Sequence, residues 1–239
     1  KFADGLKKLA YSGIRCFVCH GNHDPLDGWT ASLNWPEGVH IFGSKLESIS
    51  VPVSGEEVVR IHGLSYPTSR IDDSFGTGFQ RQGPQPFQIG LFHCSVGSDP
   101  AHETYAPRTM DELVSADLNY WALGHVHTFR VLKDGHPFIA YPGNTQGLHI
   151  REPGPRGCLV VQVDDQGEVD ASFESVDAVR WLSGRLQIDD LETEGELIEA
   201  LERVCDEIRD QAEGRPAIAR ITLTGRSVLH PGLRRPQIV

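Results

Sequence analysis

The sequence predicts a mixed α/β fold, and three of its features support this class. Short apolar runs of strand length recur along the first 175 residues, separated by segments rich in Gly, Pro, Ser and Asn. One amphipathic stretch with apolar residues at helical spacing follows these runs, and another strand-like segment, "PAIARITLTG", comes after it. A chain of 239 residues can form one large domain, or one domain and part of another.

Strands dominate the first part of the chain, each bounded by turn-forming residues. The expected strands are Ile14–Cys19, Val39–Phe42, Leu46–Val51, Glu57–Leu64, Phe87–His93, Tyr120–Leu123, Phe129–Leu132, Phe138–Ala140, Cys158–Val163 and Val169–Ser175. A helix is expected at the start of the chain, ending near Gly13, and a short one over Thr109–Asp117. Tyr66–Pro86, rich in Gly, Ser, Pro and Gln, is expected to form a long surface loop.

The sequence changes character near Asp177, after which we expect a second, smaller α/β unit. Apolar residues at helical spacing form one stripe there: Leu197, Leu201, Val204 and Ile208. The expected strand in "PAIARITLTG" follows this helix. We therefore predict a first domain over residues 1–176 and the start of a second domain over residues 177–239.

The net charge of −11 restricts the partners of the chain. The average field repels a phosphate-rich partner, so nucleic-acid binding must be local or mediated by metal ions. The acids concentrate in Asp189–Glu213, whereas Gly214–Val239 holds arginines and no acid. A solvated acidic helix face explains this segregation best, and a basic edge for phosphates is the alternative.

The sequence contains no signal for export or for membrane insertion. No apolar run approaches the roughly 18–20 residues that span a bilayer, and no basic region precedes an apolar one as in a signal peptide. Five cysteines without framework spacing fit a reducing, cytoplasmic compartment. Cys16 and Cys19 form a C-x-x-C, but residues three apart in a strand point to opposite faces, which favours two buried strand cysteines over a metal or redox pair.

Three of the expected strands end in histidine. "IRCFVCHGNH" ends in Asn22 and His23, "FQIGLFHC" at His93, and "NYWALGHVH" at His125 and His127. Because functional groups of layered α/β proteins gather at the carboxyl ends of strands, we expect these side chains to share one site. For His93 alone, an imidazole that merely satisfies a loop backbone group is an equal alternative; for the whole set it is not.

The residue types in these motifs point to metal-assisted hydrolysis of a phosphate ester. In an extended "GHVH" segment, the two imidazoles face the same side about 6–7 Å apart. Imidazole nitrogens and an amide oxygen without thiolate suit Mn, Fe, Co or Zn. Two such ions can clamp the attacking and leaving oxygens, but they need a bridging carboxylate, which the sequence does not obviously supply. Asp24 is placed to orient His23 as an outer-shell partner.

These motifs resemble a known family. "GNHD" (Gly21–Asp24), the strand-end His93 and "GHVH" (Gly124–His127) are similar, in order and spacing, to the later motifs of calcineurin-like metallophosphoesterases. The segments "YAPRT", "YWALGHVH", "YPGNTQGLHIREPGPRGC" and "VRW" resemble the SbcD/YhaO branch of DNA repair exonucleases. The resemblance covers nearly the whole chain.

The resemblance implies a fold and a set of residue roles. The fold is a four-layer α/β/β/α sandwich, followed by a small capping domain that helps to place DNA. His23 would act at the scissile phosphate, protonating the leaving oxygen or stabilising developing charge, with Asp24 orienting it; His20 has no role in this assignment. The implied metal ligands are Asn22, His93 and His125 for one ion and His127 for the other.

The resemblance also implies cofactors and partners. The cofactors are two divalent ions, with Mn²⁺ the best candidate, and the partners are DNA and an SMC-like ATPase of the SbcC type. A homodimer stays open. The leading hypothesis is therefore an intracellular DNA exonuclease or endonuclease. The alternatives are a phosphodiesterase or phosphatase with a small substrate, and a non-catalytic interaction module, which would predict eroded histidines.

The sequence departs from the family at its beginning. The first two family motifs, D-x-H and G-D-x-x-D, should precede "GNHD", but the 20 residues before Gly21 contain neither. We therefore expect a fragment truncated at the N-terminus, and at the C-terminus as well. Such a fragment retains most of only one metal site and should be weak or inactive alone.

Overall fold

The computed structural model describes residues 2–28, 33–71, 75–84, 87–97 and 105–233. Contacts divide the chain into two compact units. The first comprises Lys1–Gly143 and Leu159–Phe173, and the second Asn144–Cys158 and Glu174–Val239. The boundary at residues 176 and 177 that the sequence suggests stays a prediction.

Strands and helices of the described residues confirm the mixed α/β class. In chain order they are α1 (Phe2–Tyr11), β1 (Cys16–Val18), β2 (Val39–Ile41), β3 (Glu47–Val53), β4 (Glu56–Gly63), β5 (Phe87–His93), α2 (Met110–Ser115), β6 (Tyr120–Gly124), β7 (Arg130–Lys133), β8 (Phe138–Tyr141), β9 (Gly157–Val163), β10 (Val169–Ser175), β11 (Arg180–Gln187), α3 (Glu194–Gln211), β12 (Ala217–Thr224) and α4 (His230–Leu233). None of these helices has the length and apolar character that a bilayer span requires.

A six-stranded sheet organises the first unit, in the order β3-β4-β5-β6-β8-β7. Strands β4, β5, β6 and β8 run parallel, whereas β3 and β7 join the two edges in antiparallel fashion. The register pairs His93, the last residue of β5, with Gly124, the last residue of β6. Because both strands end at the same edge, the residues that follow them come together there.

Successive residues of the central strands serve opposite faces of this sheet. On one face Trp121 and Ile139 join a large buried cluster with Phe92. On the other face Tyr120 and Phe138 pack with the apolar residues of β9 and β10. This alternation follows from the strand period of two, and it leaves the sheet buried on both faces. The carboxyl edge of the parallel strands is thereby held on a rigid support.

Short elements of the first unit follow local sequence signals. Helix α1 ends before Gly13, whose φ of +78° suits the left-handed conformation of a helix C-terminus. Helix α2 begins at a capping box, in which the Thr109 hydroxyl accepts from the Glu112 N–H and the Glu112 carboxylate accepts from the Thr109 N–H. Strand β1 is shorter than the expected Ile14–Cys19 and pairs with β2 in a separate two-stranded parallel sheet.

The second unit contains a parallel strand pair, β11 and β12, with helix α3 packed against both. The sequence predicts α3 and β12 but not β11. Leu182 and Leu186, the apolar residues of β11 that join the core, lie four apart, a spacing that fits a helix as well as a strand. Gly184 between them allows α3 to pack closely against β11, because a Cβ at this position would lie only 2.8 Å from Val204 Cγ1 of α3.

Candidate metal centre

His93 and Asn22 form the centre of the candidate site. His93 ends β5 at the carboxyl edge of the sheet, and Asn22 lies in the turn that follows β1. His93 Nε2 lies 2.8 Å from Asn22 Oδ1, and Asn22 is buried, with 8% of its surface exposed. Two donor atoms from distant parts of the sequence therefore meet at one point.

The glycines of the two motifs make room for the His93 imidazole. A Cβ at Gly21 would lie 2.5 Å from His93 Cε1, and one at Gly124 would lie 2.9 Å from His93 Nδ1. Both distances are too short for any side chain larger than hydrogen. The sequence motifs "GNHD" and "GHVH" thus share a steric reason for their glycines, which sequence reasoning did not identify.

His125 comes next to His93 through an unusual backbone conformation. Strand β6 ends at Gly124, and His125 has a φ of +106°, which non-glycine residues rarely adopt. The extended geometry expected for "GHVH" is therefore wrong, since the chain turns at His125. The ring centroids of His93 and His125 lie 5.3 Å apart, and those of Tyr105 and His125 lie 5.5 Å apart.

Burial and the neighbouring imidazoles keep the His93 imidazole neutral. Burial lowers the pKa of His93 most, and the nearby imidazoles of His125, His23 and His127 also lower it, in that order, so that together they bring this pKa to about 3. A second positive charge in this cluster is unfavourable, so the ring retains a free lone pair, the form in which histidine binds metals. The structure thus brings His23, His125 and His127 within electrostatic range of His93, while His23 and His127 stay exposed to solvent.

Asp24 supports the turn that carries Asn22. Its Oδ1 accepts a 2.8 Å hydrogen bond from the Gly21 N–H, and its Oδ2 lies 3.3 Å from His20 Nδ1. His20 is 2% exposed, and its Nδ1 also lies 2.7 Å from the Asp24 carbonyl oxygen. The sequence interpretation assigned Asp24 to His23 and gave His20 no role. The structure instead places the Asp24 carboxylate on Gly21 and His20, within the turn.

Two buried tyrosines contact the main chain around His93. The Tyr66 hydroxyl donates to the His93 carbonyl oxygen at 2.7 Å, and the Tyr141 hydroxyl donates to the Cys94 carbonyl oxygen at 2.8 Å. Burial raises the pKa of the Tyr66 hydroxyl, which therefore remains a donor. Sequence reasoning missed both residues, because neither lies in a histidine motif.

The donor set fits one divalent cation. Asn22 supplies an amide oxygen, and His93 and His125 supply imidazole nitrogens, a mixture that suits borderline metals such as Mn or Zn. Within the described residues, no group of three or more His, Cys, Asp or Glu side chains is arranged to hold an ion, so a site here would have to include the amide. An amide and two imidazoles bring no negative charge, so they leave the charge of the cation uncompensated.

Comparison with known proteins covers both units. Residues 1–129 match the family model "Calcineurin-like phosphoesterase", and residues 181–238 match "Metallophosphoesterase YhaO, middle domain". The chain is 34% identical over 220 residues to the "Uncharacterized metallophosphoesterase YhaO" of Bacillus subtilis (strain 168). This alignment covers 92% of the chain but 53% of the relative, so the chain spans about half the length of that protein.

The first of these matches spans the candidate site. Asn22, His23, His93, His125 and His127 all lie within the 129 residues that the phosphoesterase model covers. That region is more than half of the 239-residue chain and contains the ends of β5 and β6. The chain therefore belongs to the calcineurin-like phosphoesterase family.

Proposed function

We propose that this chain is the metal-binding and phosphodiester-cleaving part of a DNA repair nuclease. The observation that carries the proposal is the convergence of Asn22, His93 and His125 beside a solvent-exposed His23. Membership of the family supports the coarser statement, metal-dependent hydrolysis of a phosphoester. The resemblance of "YPGNTQG" and "YAPRT" to the nuclease branch supports DNA as the substrate.

The proposed site residues have two roles, binding of metal ions and catalysis. Asn22, His93 and His125 would hold one divalent ion, and His127 would contribute to a second. When bound, the ions supply Lewis-acid polarisation of a phosphate oxygen and an acidified water. Mn²⁺ is the metal that we propose for both positions.

We propose His23 as the general acid. It follows the buried Asn22 in the same turn, yet its own side chain is exposed, so a substrate can reach it from solvent. A protonated imidazole at this position can donate its proton to the leaving oxygen as the phosphodiester bond breaks. Positioned acids of this kind contribute roughly 10²–10⁴-fold to the rate.

The net charge of −11 favours a second candidate, a phosphodiesterase with a small substrate. An acidic protein repels a long polyanion more strongly than a small diester, so DNA binding would depend on the bound ions for attraction. For the nuclease we further propose an SMC-like ATPase of the SbcC type as a partner, assembly as a homodimer, and a cytoplasmic location.

One experiment separates these candidates. The protein expressed from its complete gene is incubated with Mn²⁺ and either linear duplex DNA or bis(p-nitrophenyl) phosphate. We expect DNA degradation, and we expect His23→Ala to lower its rate at least ~100-fold while Mn²⁺ content stays unchanged. His230→Ala, an exposed histidine of the second unit, is the matched control. Cleavage of the small diester without DNA degradation would favour the second candidate.

A further inference from the structure

We propose that Tyr66 and Tyr141 are positioning residues, which hold the His93 imidazole in place for metal binding by fixing the main chain on its two sides. The inference rests on the proposed role of His93 as a metal ligand. Neither tyrosine is proposed to bind the ion or the substrate; both act on His93 through hydrogen bonds to the main chain.

Tyr66 joins the two segments that carry the ligands. Its side chain is fully buried, its hydroxyl donates to the His93 carbonyl oxygen, and its ring meets the His93 imidazole edge-on at 5.4 Å. Its own N–H donates to the His20 carbonyl oxygen at 3.1 Å, and its carbonyl oxygen accepts from the Leu26 N–H at 2.9 Å. His20 and Leu26 flank the turn that carries Asn22. One residue therefore binds to both ends of that turn and to the end of β5.

Tyr141 fixes the chain just beyond His93. It is the last residue of β8 and is 2% exposed. Its hydroxyl donates to the Cys94 carbonyl oxygen and accepts a 3.0 Å hydrogen bond from the Val96 N–H. The two tyrosines thus satisfy the consecutive carbonyl groups of His93 and Cys94 at the point where β5 ends.

These hydroxyls supply hydrogen bonds to the main chain where β5 ends. Buried carbonyl groups need hydrogen-bond partners, and strand pairing provides them only as far as a strand extends. Gly21 and Gly124 make room for the His93 ring but do not fix its backbone. With the carbonyls at positions 93 and 94 held, the Cα–Cβ bond of His93 has a defined direction. The 2.8 Å spacing between His93 Nε2 and Asn22 Oδ1 depends on that direction.

The effect of replacing tyrosine by phenylalanine on metal binding differs between a tyrosine that only fills the core and one that positions a ligand. Replacement by phenylalanine keeps the ring and removes the hydroxyl, so a merely space-filling residue would leave metal binding unchanged. Tyr120 provides the matched control, because it is 9% exposed and packs in the cluster on the opposite face of the same sheet.

The test uses the protein from its complete gene as wild type, Tyr66→Phe, Tyr141→Phe and Tyr120→Phe. Each protein is titrated with Mn²⁺ alone, and free Mn²⁺ is followed by electron paramagnetic resonance. Visible absorption of bound Co²⁺ reports the ligand geometry, and melting temperature reports stability. We expect ~10-fold weaker Mn²⁺ binding and an altered Co²⁺ spectrum for Tyr66→Phe and for Tyr141→Phe, as for other outer-shell partners. Tyr120→Phe should match wild type in both metal readouts.

If Tyr66→Phe and Tyr141→Phe both have the Mn²⁺ affinity and the Co²⁺ spectrum of wild type, the inference is overturned and the proposed function is unaffected. If one variant does not fold, the other decides by the same criterion. A wild-type protein that binds no Mn²⁺ would overturn the proposed function and the inference together. A loss of affinity in Tyr120→Phe equal to that of the site variants would also overturn the inference, since stability alone would then explain it.

Discussion

His93 Nε2 lies 2.8 Å from Asn22 Oδ1, although 71 positions separate the two residues in the sequence. The contact exists because β5 ends at the carboxyl edge of the sheet and the turn after β1 comes to the same place. An amide oxygen only accepts, so in this contact the His93 Nε2–H donates to Asn22 Oδ1. The same two atoms are the ones that the proposed cation would share.

The first prediction concerns the amide of Asn22. Asn22→Ala removes one donor oxygen from a site in which the other donors are neutral imidazoles, so we expect Mn²⁺ affinity to fall at least ~10-fold. The free-ion titration described above measures this change. Asn34→Ala, at an exposed position of the same unit, serves as the control. Equal affinity in both variants would remove Asn22 from the site.

The second prediction concerns Gly21. In Gly21→Ala the new Cβ would lie 2.5 Å from His93 Cε1, so the imidazole or the turn must move. We expect the free energy of unfolding to fall by about 1–3 kcal/mol, as for other overpacked positions, and Mn²⁺ affinity to fall with it. Urea unfolding measures the first quantity. Gly5→Ala in α1 meets no atom within 4 Å and should be neutral or stabilising by up to ~1 kcal/mol. A Gly21→Ala protein as stable as wild type would contradict the steric account.

The third prediction concerns the backbone at His125. A φ of +106° is costly for residues with a Cβ and inexpensive for glycine. Both His125→Ala and His125→Gly remove the imidazole, but only the glycine variant relieves the backbone. We expect His125→Gly to be more stable than His125→Ala by about 1 kcal/mol, with weak Mn²⁺ binding in both. Thermal unfolding of the two variants side by side tests this order; the reverse order would show that the conformation carries no strain.

Sequence patterns predicted the strands and the gathering of the motifs better than the contacts within the site. The apolar run of β5 and its terminal His93 were predicted with the observed bounds, because burial on both faces leaves a clear composition signal. The conformation of His125 was not predicted, since nothing in "GHVH" distinguishes an extended segment from a turn. The contact of Tyr66 with His93 joins residues 27 positions apart, and no local pattern encodes it. The catalytic role of His23 stays a prediction.

The fourth prediction concerns pH and the buried His62. His62 is fully buried between Ser48 Oγ and Gln88 Oε1, and burial lowers the pKa of its imidazole below the usual value. The unfolded chain therefore takes up this proton first, at a pH near the ordinary histidine pKa of about 6.5. Stability is fully present above that pH and is lost as the pH falls below it, down to the folded-state pKa.

Urea unfolding at pH 7.5 and pH 5.5 measures this dependence. We expect the free energy of unfolding to be lower at pH 5.5, with a contribution from His62 of at most ~1.4 kcal/mol per pH unit. His62→Gln should be less stable than wild type at pH 7.5 but should lose less stability on acidification. His40→Gln, at a partly exposed position, is the control for the loss of a histidine. An identical pH dependence in wild type and His62→Gln would contradict the assignment.

The fifth prediction distinguishes two roles for Asp24. If its carboxylate supports the turn through Gly21, then Asp24→Asn keeps an acceptor at Oδ1, whereas Asp24→Ala removes it. We expect Asp24→Asn to retain the stability of wild type and most of its phosphodiester hydrolysis. Asp24→Ala should lose about 1 kcal/mol of unfolding free energy and bind Mn²⁺ more weakly, because Asn22 lies in the same turn. Asp27→Ala, an exposed aspartate three residues further on, is the control.

The opposite pattern would favour the role that the sequence suggested. An Asp24 that orients the His23 imidazole through its negative charge would make Asp24→Asn slow in hydrolysis while its stability and Mn²⁺ affinity stay unchanged. Because Oδ1 binds the Gly21 N–H at 2.8 Å and Oδ2 lies 3.3 Å from His20 Nδ1, both oxygens are already engaged within the turn. We therefore expect stability and metal affinity, and not hydrolysis alone, to follow the substitutions at this position.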